Sequence, residues 1–319
     1  MAHEGPEVTV VIPTRDRWSL LQRRALRAAL GQEDVRLEVV VVDDGSAEAA
    51  PPGVNDARVR VVRHETSRGV AAARNTGIAE ARAPWTAFLD DDDVWAPWKL
   101  REQLDRLAAE GASFAYSAVA HTDLTGRVIT IDEAPPAEVL HDRLRAGRVI
   151  PGAASNVVVR TELLRELGGY DSRLFILEDP DLALRLVHRA RPAACGAVHV
   201  AYLQHEGARH LRDIDRLLKA YAYFRTKHPD VSPYVIENHL DWVLSQHRRA
   251  GRKIAAAHLC WTAARHRRSP RWFGRALASL AGNRARRAVR RLGRGRRAVA
   301  APPPRQAPHP ELDWVRAYA

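Results

Sequence analysis

The chain has 319 residues, 46% of them apolar and 28% charged, and a formal net charge of +12 at pH 7. This length fits one large domain with an appendage, or two domains, and the composition is that of a soluble globular protein. No run of about 18 apolar residues is present, which argues against a membrane-spanning helix. The positive charge is confined to the C-terminal part, since no acidic residue occurs from Trp242 to Pro310.

The first part of the chain alternates between β-branched runs and helical patterns. The predicted strands are 8–13, 37–46, 57–64, 84–90 and 113–121, and the predicted helices between them are 19–30, 69–82 and 96–111. Alternation at this spacing is typical of parallel βαβ units. We therefore predict an α/β fold with a mostly parallel sheet flanked by helices.

The pattern changes along the remainder of the chain. Helices are predicted at 161–171 and 178–190, a strand at 196–207, and helices at 209–227, 232–249, 251–267 and 270–292. A Pro-rich segment covers 301–311. The predicted domains are an α/β domain at 1–210, a basic all-helical appendage at 211–298 and a flexible Pro-rich tail at 299–319.

Polar residues follow three of the predicted strands, where ligands of open α/β sheets bind. These strand ends read Pro13-Thr14-Arg15, Asp43-Asp44-Gly45-Ser46 and Asp90 to Asp93. The four consecutive aspartates repel one another, so they form either a solvated turn, with Asp93 as a helix cap, or a cation site. No glycine-rich phosphate loop is present, which disfavours a dinucleotide-binding fold and a P-loop ATPase.

Five sequence blocks then carry a resemblance. "VVIPTRDR", "VVVVDDGS", "ARNTGIAEARAPWTAFLDDDDVWAPWKL", "GGYD" and "LEDPDLALRL" occur in order within residues 7–206. Together they resemble the family 2 glycosyltransferases, which have the GT-A fold. The resemblance implies a nucleotide-sugar donor, with a UDP-sugar favoured, and a divalent cation, Mn²⁺ or Mg²⁺. It also implies transfer with inversion to an acceptor hydroxyl, in the synthesis of cell-surface polysaccharide or glycolipid.

The resemblance places a D-x-D metal motif on the acidic run. Asp92 would be the direct metal ligand, and Asp90 or Asp91 would contact the ribose or support the metal, with a register ambiguous by one residue. Oxygen ligands suit both cations. A late histidine, His205, would complete the metal site. Its alternatives are His199 and His210.

The resemblance also implies a nucleotide site. Asp44 would read the edge of a uracil-type base, with Asp43 as the alternative. Arg74, or else Arg68, would approach the base or the diphosphate. The residues implied to line the base are Pro13, Thr14 and Arg15.

The reaction needs a base, because an acceptor hydroxyl is a poor nucleophile until its proton leaves. The family places this group in an "ED" pair at a helix start, which here is Glu178-Asp179. Asp179 is assigned as the general base and Glu178 as its neighbour, with Asp181 as the fallback. Acids at a helix start also simply favour the helix dipole. Ser155 and Asn156 are expected on an acceptor-side or diphosphate loop.

Two alternative functions remain open: a sugar-phosphate nucleotidyltransferase, or a non-catalytic binding module of the same fold. The basic C-terminal helices suit an anionic membrane surface, an ordinary solvated surface or, less well, nucleic acid. The two cysteines form no CxxC motif, and the N-terminus lacks a signal-peptide layout. These features predict a cytoplasmic protein, peripheral at the inner face of the cell membrane.

Overall fold

The structure is a computed structural model that describes residues 5–51, 54, 56–123, 125–203, 213–249, 251–267 and 310–318, with single positions at 272, 275, 276 and 279. The chain divides into two compact units. The first comprises 1–205, 220–232 and 310–319, and the second comprises 206–219 and 233–309. The first unit is therefore discontinuous in sequence, whereas the sequence analysis predicted a continuous domain at 1–210.

A nine-stranded sheet forms the centre of the first unit, in the order β3-β2-β1-β4-β8-β6-β9-β5, with β7 paired to β6. The strands are β1 (Val8–Thr14), β2 (Leu37–Asp43), β3 (Val59–Arg63), β4 (Trp85–Phe88), β5 (Val94–Trp95), β6 (Phe114–Thr122), β7 (Val128–Asp132), β8 (Val158–Arg160) and β9 (Pro192–Leu203).

The predicted α/β class is confirmed, and the sheet is mixed. Its first four strands, β3-β2-β1-β4, are parallel, as is the pair β6 and β9. Strand β8 lies antiparallel between β4 and β6. The central strands β1 and β2 are buried along their whole length, as expected for parallel strands covered on both faces.

The helices are α1 (Trp18–Leu21), α2 (Arg27–Leu30), α3 (Val70–Glu80), α4 (Lys99–Glu110), α5 (Leu140–Arg145), α6 (Thr161–Glu166), α7 (Glu178–Arg189), α8 (Ile214–Lys227), α9 (Tyr234–Arg249) and α10 (Lys253–Arg267). A π-helical stretch, Gln22–Leu26, joins α1 to α2. Helix α3 packs so closely on β1 that a side chain at Gly77 would overlap Val11. This contact fixes α3 against the sheet.

The predicted C-terminal helices are present as α8, α9 and α10, and the predicted helix at 270–292 lies almost wholly outside the described residues. Within the described part of the chain, every helix is too short or too polar to be a membrane span.

The C-terminal segment differs from the predicted flexible tail. Residues Pro310–Tyr318 form a 3₁₀ helix, in which Leu312 and Val315 are buried in the main hydrophobic core. The Arg27 side chain donates to the carbonyl of Ala317 at 2.8 Å. The apolar side chains after the Pro-rich stretch explain the difference, because their burial offsets the entropy of ordering the segment.

Shortening the buried Val315 side chain tests this anchoring. We expect Val315→Ala to lower the free energy of unfolding by about 1–3 kcal/mol, because it leaves a cavity in the core. Urea unfolding measures the change. The matched control is Val139→Ala, at a position that is 42% exposed, where we expect less than about 0.5 kcal/mol. Equal effects at both positions would contradict the anchoring.

Candidate active site

Charged side chains from four parts of the first unit meet beyond the carboxyl ends of β1 and β4. Thr14 ends β1, and the acidic run Asp90 to Asp93 follows β4. Helix α3 contributes Arg74, and α7 begins with Glu178 and Asp179. Parallel strands ending at one edge bring these groups together although they are far apart in sequence.

Arg74 joins the acidic run to the start of α7. Its Nη2 lies 2.7 Å from Asp90 Oδ1, and its Nη1 lies 3.2 Å from both Glu178 Oε1 and Asp179 Oδ1. The guanidinium also lies over the Tyr170 ring, and the residue is only 2% exposed. Arg74 was predicted to approach a base or diphosphate. In the structure it is instead the buried counter-ion of three carboxylates.

A second arginine, Arg17, pairs with the middle of the acidic run. Its guanidinium lies 3.0 Å from Asp91 Oδ1 and 2.6 Å from Asp92 Oδ2. Thr14 donates its hydroxyl to the other Asp91 oxygen at 2.8 Å. The predicted residues Thr14, Asp91 and Asp92 therefore belong to one cluster, and Arg17 is a member that the sequence analysis missed.

Ser155 and Asn156, predicted on an acceptor-side or diphosphate loop, bond other parts of the protein in the structure. Both are fully buried, in a 3₁₀ helix that leads into β8. Ser155 donates to Asp93 Oδ2 at 2.6 Å and accepts from the Asp90 amide at 3.0 Å. Asn156 bonds the backbone and hydroxyl of Ser117 on β6. Ser155 thus supports the acidic run, and Asn156 ties the 3₁₀ helix to β6.

Asp44 is held by a similar set of internal bonds. One oxygen accepts from the His64 ring and the Arg68 amide, both at 2.8 Å. The other accepts from the Ser67 hydroxyl at 2.7 Å and the Gly69 amide at 2.9 Å. A carboxylate has about four acceptor directions, so reading a base edge would require exchanging one of these bonds.

The other predicted residues that the structure describes lie outside the charged cluster. Pro13 is buried within β1, paired with Val42 of β2. Arg15 is exposed and pairs with Asp16 at 3.7 Å. The alternative base reader Asp43 is buried and caps the Ser46 amide. His205 and its alternative His210 lie outside the described residues. The remaining alternative, His199, is buried and bonds Glu102 on α4.

The cluster holds more negative than positive charge. Burial raises the pKa of Asp91 to about 7, helped by Asp92 and opposed by Arg17. Burial also raises the pKa of Asp179 to about 7, opposed by Arg74. The pKa values of Glu178 and Asp93 are raised as well, with burial as the main cause. Removal from water disfavours the charged carboxylates, and the two arginines offset this only in part.

This excess charge fits a divalent cation in kind, since the carboxylates are hard oxygen donors. No group of three or more His, Cys, Asp or Glu side chains in the described part of the chain is arranged to hold a metal ion. In the structure, Arg17 engages Asp91 and Asp92. Exchange of Arg17 for a cation at Asp92 is the rearrangement that metal binding would require.

Three residues that the sequence analysis did not name contact the predicted site residues. Arg17 follows strand one in "PTRDR", and Tyr170 lies within "GGYD". His64 ends the β3 segment and reaches Asp44. Of these three residues, Arg17 could most easily have been predicted from the sequence. It follows a strand that ends next to the acidic run, and an arginine there is a favourable partner for the carboxylates.

Comparison with known proteins places this site in a family. A family model described as Glycosyl transferase family 2 matches residues 9–168, about half of the chain. The chain belongs to glycosyl transferase family 2. The matched segment includes the acidic run and both arginines and ends before the Glu178-Asp179 pair.

Individual members of family 2 resemble the chain over different lengths. The succinoglycan biosynthesis protein ExoO of Rhizobium meliloti is 42% identical over 125 residues, which is 38% of this chain and 36% of that protein. A pre-mycofactocin glycosyltransferase of Mycobacterium tuberculosis is 32% identical over 266 residues, 75% of this chain and 52% of that protein. The chain thus spans between a third and about half of these two relatives.

Solved structures establish the fold. The crystal structure of S. aureus TarS 1–349 in complex with UDP-GlcNAc matches with a TM-score of 0.55 at 18% identity, covering 69% of this chain and 66% of that one. The complex of TarS 1–349 with UDP gives a TM-score of 0.53 at 16% identity, covering 89% and 78%. The predicted GT-A fold is confirmed.

The raised pKa of Asp179 predicts how stability depends on pH. With a pKa of about 7 in the fold and an ordinary value of 3.8, the folded state binds more protons than the unfolded state between about pH 4 and 7. Stability should therefore fall as the pH rises through this range. We expect Asp179→Asn to remove this contribution. The free energy of unfolding of the variant minus that of the wild type should therefore be about 2 kcal/mol larger at pH 8 than at pH 5.

Chemical unfolding at the two pH values measures the difference. The control is Asp142→Asn, because Asp142 has a side chain that is 88% exposed. If the free energy of unfolding depended on pH in the same way in both variants, the raised pKa of the Asp179 carboxyl would be contradicted.

Proposed function

We propose that this family 2 chain is an inverting, metal-dependent glycosyltransferase of the hexosyltransferase type. It would move a sugar from a nucleotide diphosphate, with a UDP-sugar favoured, to an acceptor hydroxyl. The observation that carries the proposal is the Arg74 bridge, because it holds the acidic run and the Glu178-Asp179 pair in one charged cluster. A donor site and a base within one cluster are what a direct displacement needs.

Asp92 is the residue proposed to hold a Mn²⁺ or Mg²⁺ ion, with Asp90 or Asp91 in support. When bound, such an ion neutralises the negative charge that develops on a nucleoside diphosphate leaving group. Arg17 would be released from Asp92 on loading, and its guanidinium would remain near the rim as a second positive group. Asp93 would stay with Ser155, since its carboxyl is buried and bonded there.

Asp179 is proposed to take the proton of the acceptor hydroxyl. The acceptor oxygen forms its bond to the anomeric carbon as the bond from that carbon to the diphosphate oxygen breaks on the opposite side. This single displacement inverts the anomeric centre, and the proton ends on Asp179. Arg74, which contacts Asp179 at 3.2 Å, orients the carboxylate and opposes its protonation in the resting site.

The similar proteins support a nucleotide-sugar donor and a saccharide acceptor. TarS 1–349 has been crystallised with UDP-GlcNAc and with UDP. ExoO is named for succinoglycan biosynthesis, and a TuaG protein of Bacillus subtilis, 29% identical over 122 residues, for teichuronic acid biosynthesis. We propose that this chain acts in cell-surface polysaccharide or glycolipid synthesis, on a saccharide or lipid-linked acceptor.

Donor turnover tests the proposal directly. The purified protein is incubated with UDP-, GDP-, dTDP- and CDP-sugars, with and without Mn²⁺, and release of the nucleoside diphosphate is measured. We expect turnover of one donor class that requires the metal. Asp92→Asn and Asp179→Asn should each lower the rate by about 10²-fold or more, because they remove a metal ligand and the base.

The control is Asp105→Asn, which changes a carboxylate on α4 that is 65% exposed. Release of pyrophosphate from a nucleoside triphosphate and a sugar phosphate would identify a nucleotidyltransferase instead. Absence of turnover with every donor would favour the non-catalytic binding module.

We further propose that α10 of the second unit lies against an anionic membrane surface, at the cytoplasmic face. Its exposed positions follow one another at helical spacing: Ile254, His258, Trp261 and Arg265. Ile254 is 81% exposed and Trp261 is 45% exposed. Apolar anchors among basic residues suit the interface of an anionic bilayer, and the acid-free sequence from Trp242 to Pro310 adds attraction to its charge.

Vesicle sedimentation tests this surface. We expect the protein to sediment with phosphatidylglycerol vesicles and not with neutral phosphatidylcholine vesicles. High salt should release it from the anionic vesicles, because salt screens the electrostatic attraction. Replacing Ile254 and Trp261 together by serine should weaken binding, whereas Val139→Ala in the first unit should not. Indifference to anionic lipid, or tighter binding to RNA than to vesicles, would contradict the proposal.

A further inference from the structure

The Glu178-Asp179 pair lies in the segment 171–181, which consists of a loop and the first turn of α7 and is called the turn below. The two ends of this turn share one cation. Asp171 begins the turn and Asp181 lies in the first part of α7. Lys227, near the end of α8, places its Nζ 2.8 Å from Asp171 Oδ2 and 2.6 Å from Asp181 Oδ1. The two carboxylates are ten residues apart in sequence, and the single ammonium group links them across the turn.

Both carboxylates are strongly held. Asp181 is fully buried and also accepts from His228 at 2.8 Å and from Arg185 at 2.9 Å. Burial raises the pKa of Asp181, but these hydrogen bonds from His228 and Lys227 bring it below its ordinary value. Asp171 is 8% exposed at its side chain and also accepts from the Tyr223 hydroxyl at 2.8 Å.

The turn between the two carboxylates needs such support. Leu177, directly before Glu178, has a φ of 63°, in the left-handed region that a leucine adopts only under constraint. Asn75 bonds the backbone of Tyr170 just before the segment, and Arg185 links the carbonyl of Gly169 to the Asp181 carboxylate. Lys227 adds a direct link between the two carboxylates, Asp171 at the start and Asp181 at the far end.

We propose that Lys227 is a positioning residue for the base: it fixes the turn at 171–181 and so sets the place of Asp179 against Arg74. The role of the turn in catalysis rests on the proposed function. Helix α8 lies outside the segment that the family model matches, which ends at residue 168. The C-terminal part of the chain thus contributes to the geometry of the candidate active site through residues 220–232, which belong to the first unit.

The geometry gives the consequence of losing the ammonium group. Asp181 would keep His228 and Arg185, and Asp171 would keep Tyr223 and Arg173. The direct link between the two carboxylates would be lost, leaving Arg185 between Asp181 and the Gly169 carbonyl, and the constrained backbone at Leu177 would be less restrained. Asp179 would then move relative to Arg74, whereas Asp90 to Asp93, on another element, would be unaffected.

Four variants test the clamp. Lys227→Met removes the charge and keeps the side-chain length, and Lys227→Arg is the conservative rescue. Lys219→Met is the matched control, an exposed lysine on the same helix. Tyr223→Phe removes a single donor from Asp171 and serves if Lys227→Met fails to fold. Hydrogen–deuterium exchange of the 171–181 amides, UDP affinity with Mn²⁺, and donor turnover are measured for each variant.

We expect faster exchange within 171–181 in Lys227→Met, a smaller effect of the same kind in Tyr223→Phe, and wild-type exchange in Lys219→Met. UDP affinity and the KM for the donor should be unchanged. The kcat should fall by about 10²-fold, as for a displacement of about 1 Å in a reacting group, and Lys227→Arg should restore part of it.

Unchanged exchange in the turn, or a uniform increase over the whole chain, would overturn the clamp. A raised KM at constant kcat would equally overturn the positioning role. Exchange does not depend on turnover, so faster exchange in the turn together with an inactive wild-type protein would retain the clamp and refute the proposed function.

Discussion

The candidate site depends on one buried guanidinium. Arg74 is almost inaccessible to water and is bonded to carboxylates from two other elements. An unpaired buried charge of either sign is very unfavourable, so Arg74 and its partners stabilise one another only when all are in place. Because they come from α3, the end of β4 and the start of α7, this charge balance also fixes how those three elements meet.

The carboxylates of the charged cluster outnumber its guanidiniums. Two guanidiniums bond five of the six carboxylates directly, namely Asp90 to Asp92 and the Glu178-Asp179 pair, while Asp93 bonds Ser155. The result is two carboxyls with pKa values of about 7. Such a site gains more from an added cation than a balanced site would, and a carboxyl that titrates near neutrality is well matched to proton transfer.

The sequence predicted the parts of the fold that have strong local signals. Strands β1 and β2 contain the β-branched runs 8–12 and 39–42, and the acidic run follows β4 as expected. Strand β8 was missed because it is only three residues long, and its antiparallel pairing depends on neighbours far along the chain. The Pro310–Tyr318 helix was missed because the prolines before it dominate the local composition.

Within the site, residue identity was predicted better than residue role. Ser155 and Asn156 were chosen as polar loop residues, but their partners on β6 and in the acidic run are set by tertiary packing that periodicity cannot reveal. Arg74 was singled out from the sequence and lies in the charged cluster, yet only the fold shows that carboxylates surround it. The contribution of Lys227 has no local signal, because its partners Asp171 and Asp181 lie more than forty residues earlier.

The first unit is assembled from three separate stretches of sequence, and this restricts how the molecule can be altered by recombination. A cut at residue 210, where composition places a domain boundary, would discard Lys227, His228 and Val315 together. The unit that contains the candidate active site therefore cannot be transferred as a single contiguous segment. An exchange of the basic helices between homologues would have to keep residues 220–232 and 310–318 of the original chain, because both stretches belong to the first unit. Only the segment between these two stretches could be replaced.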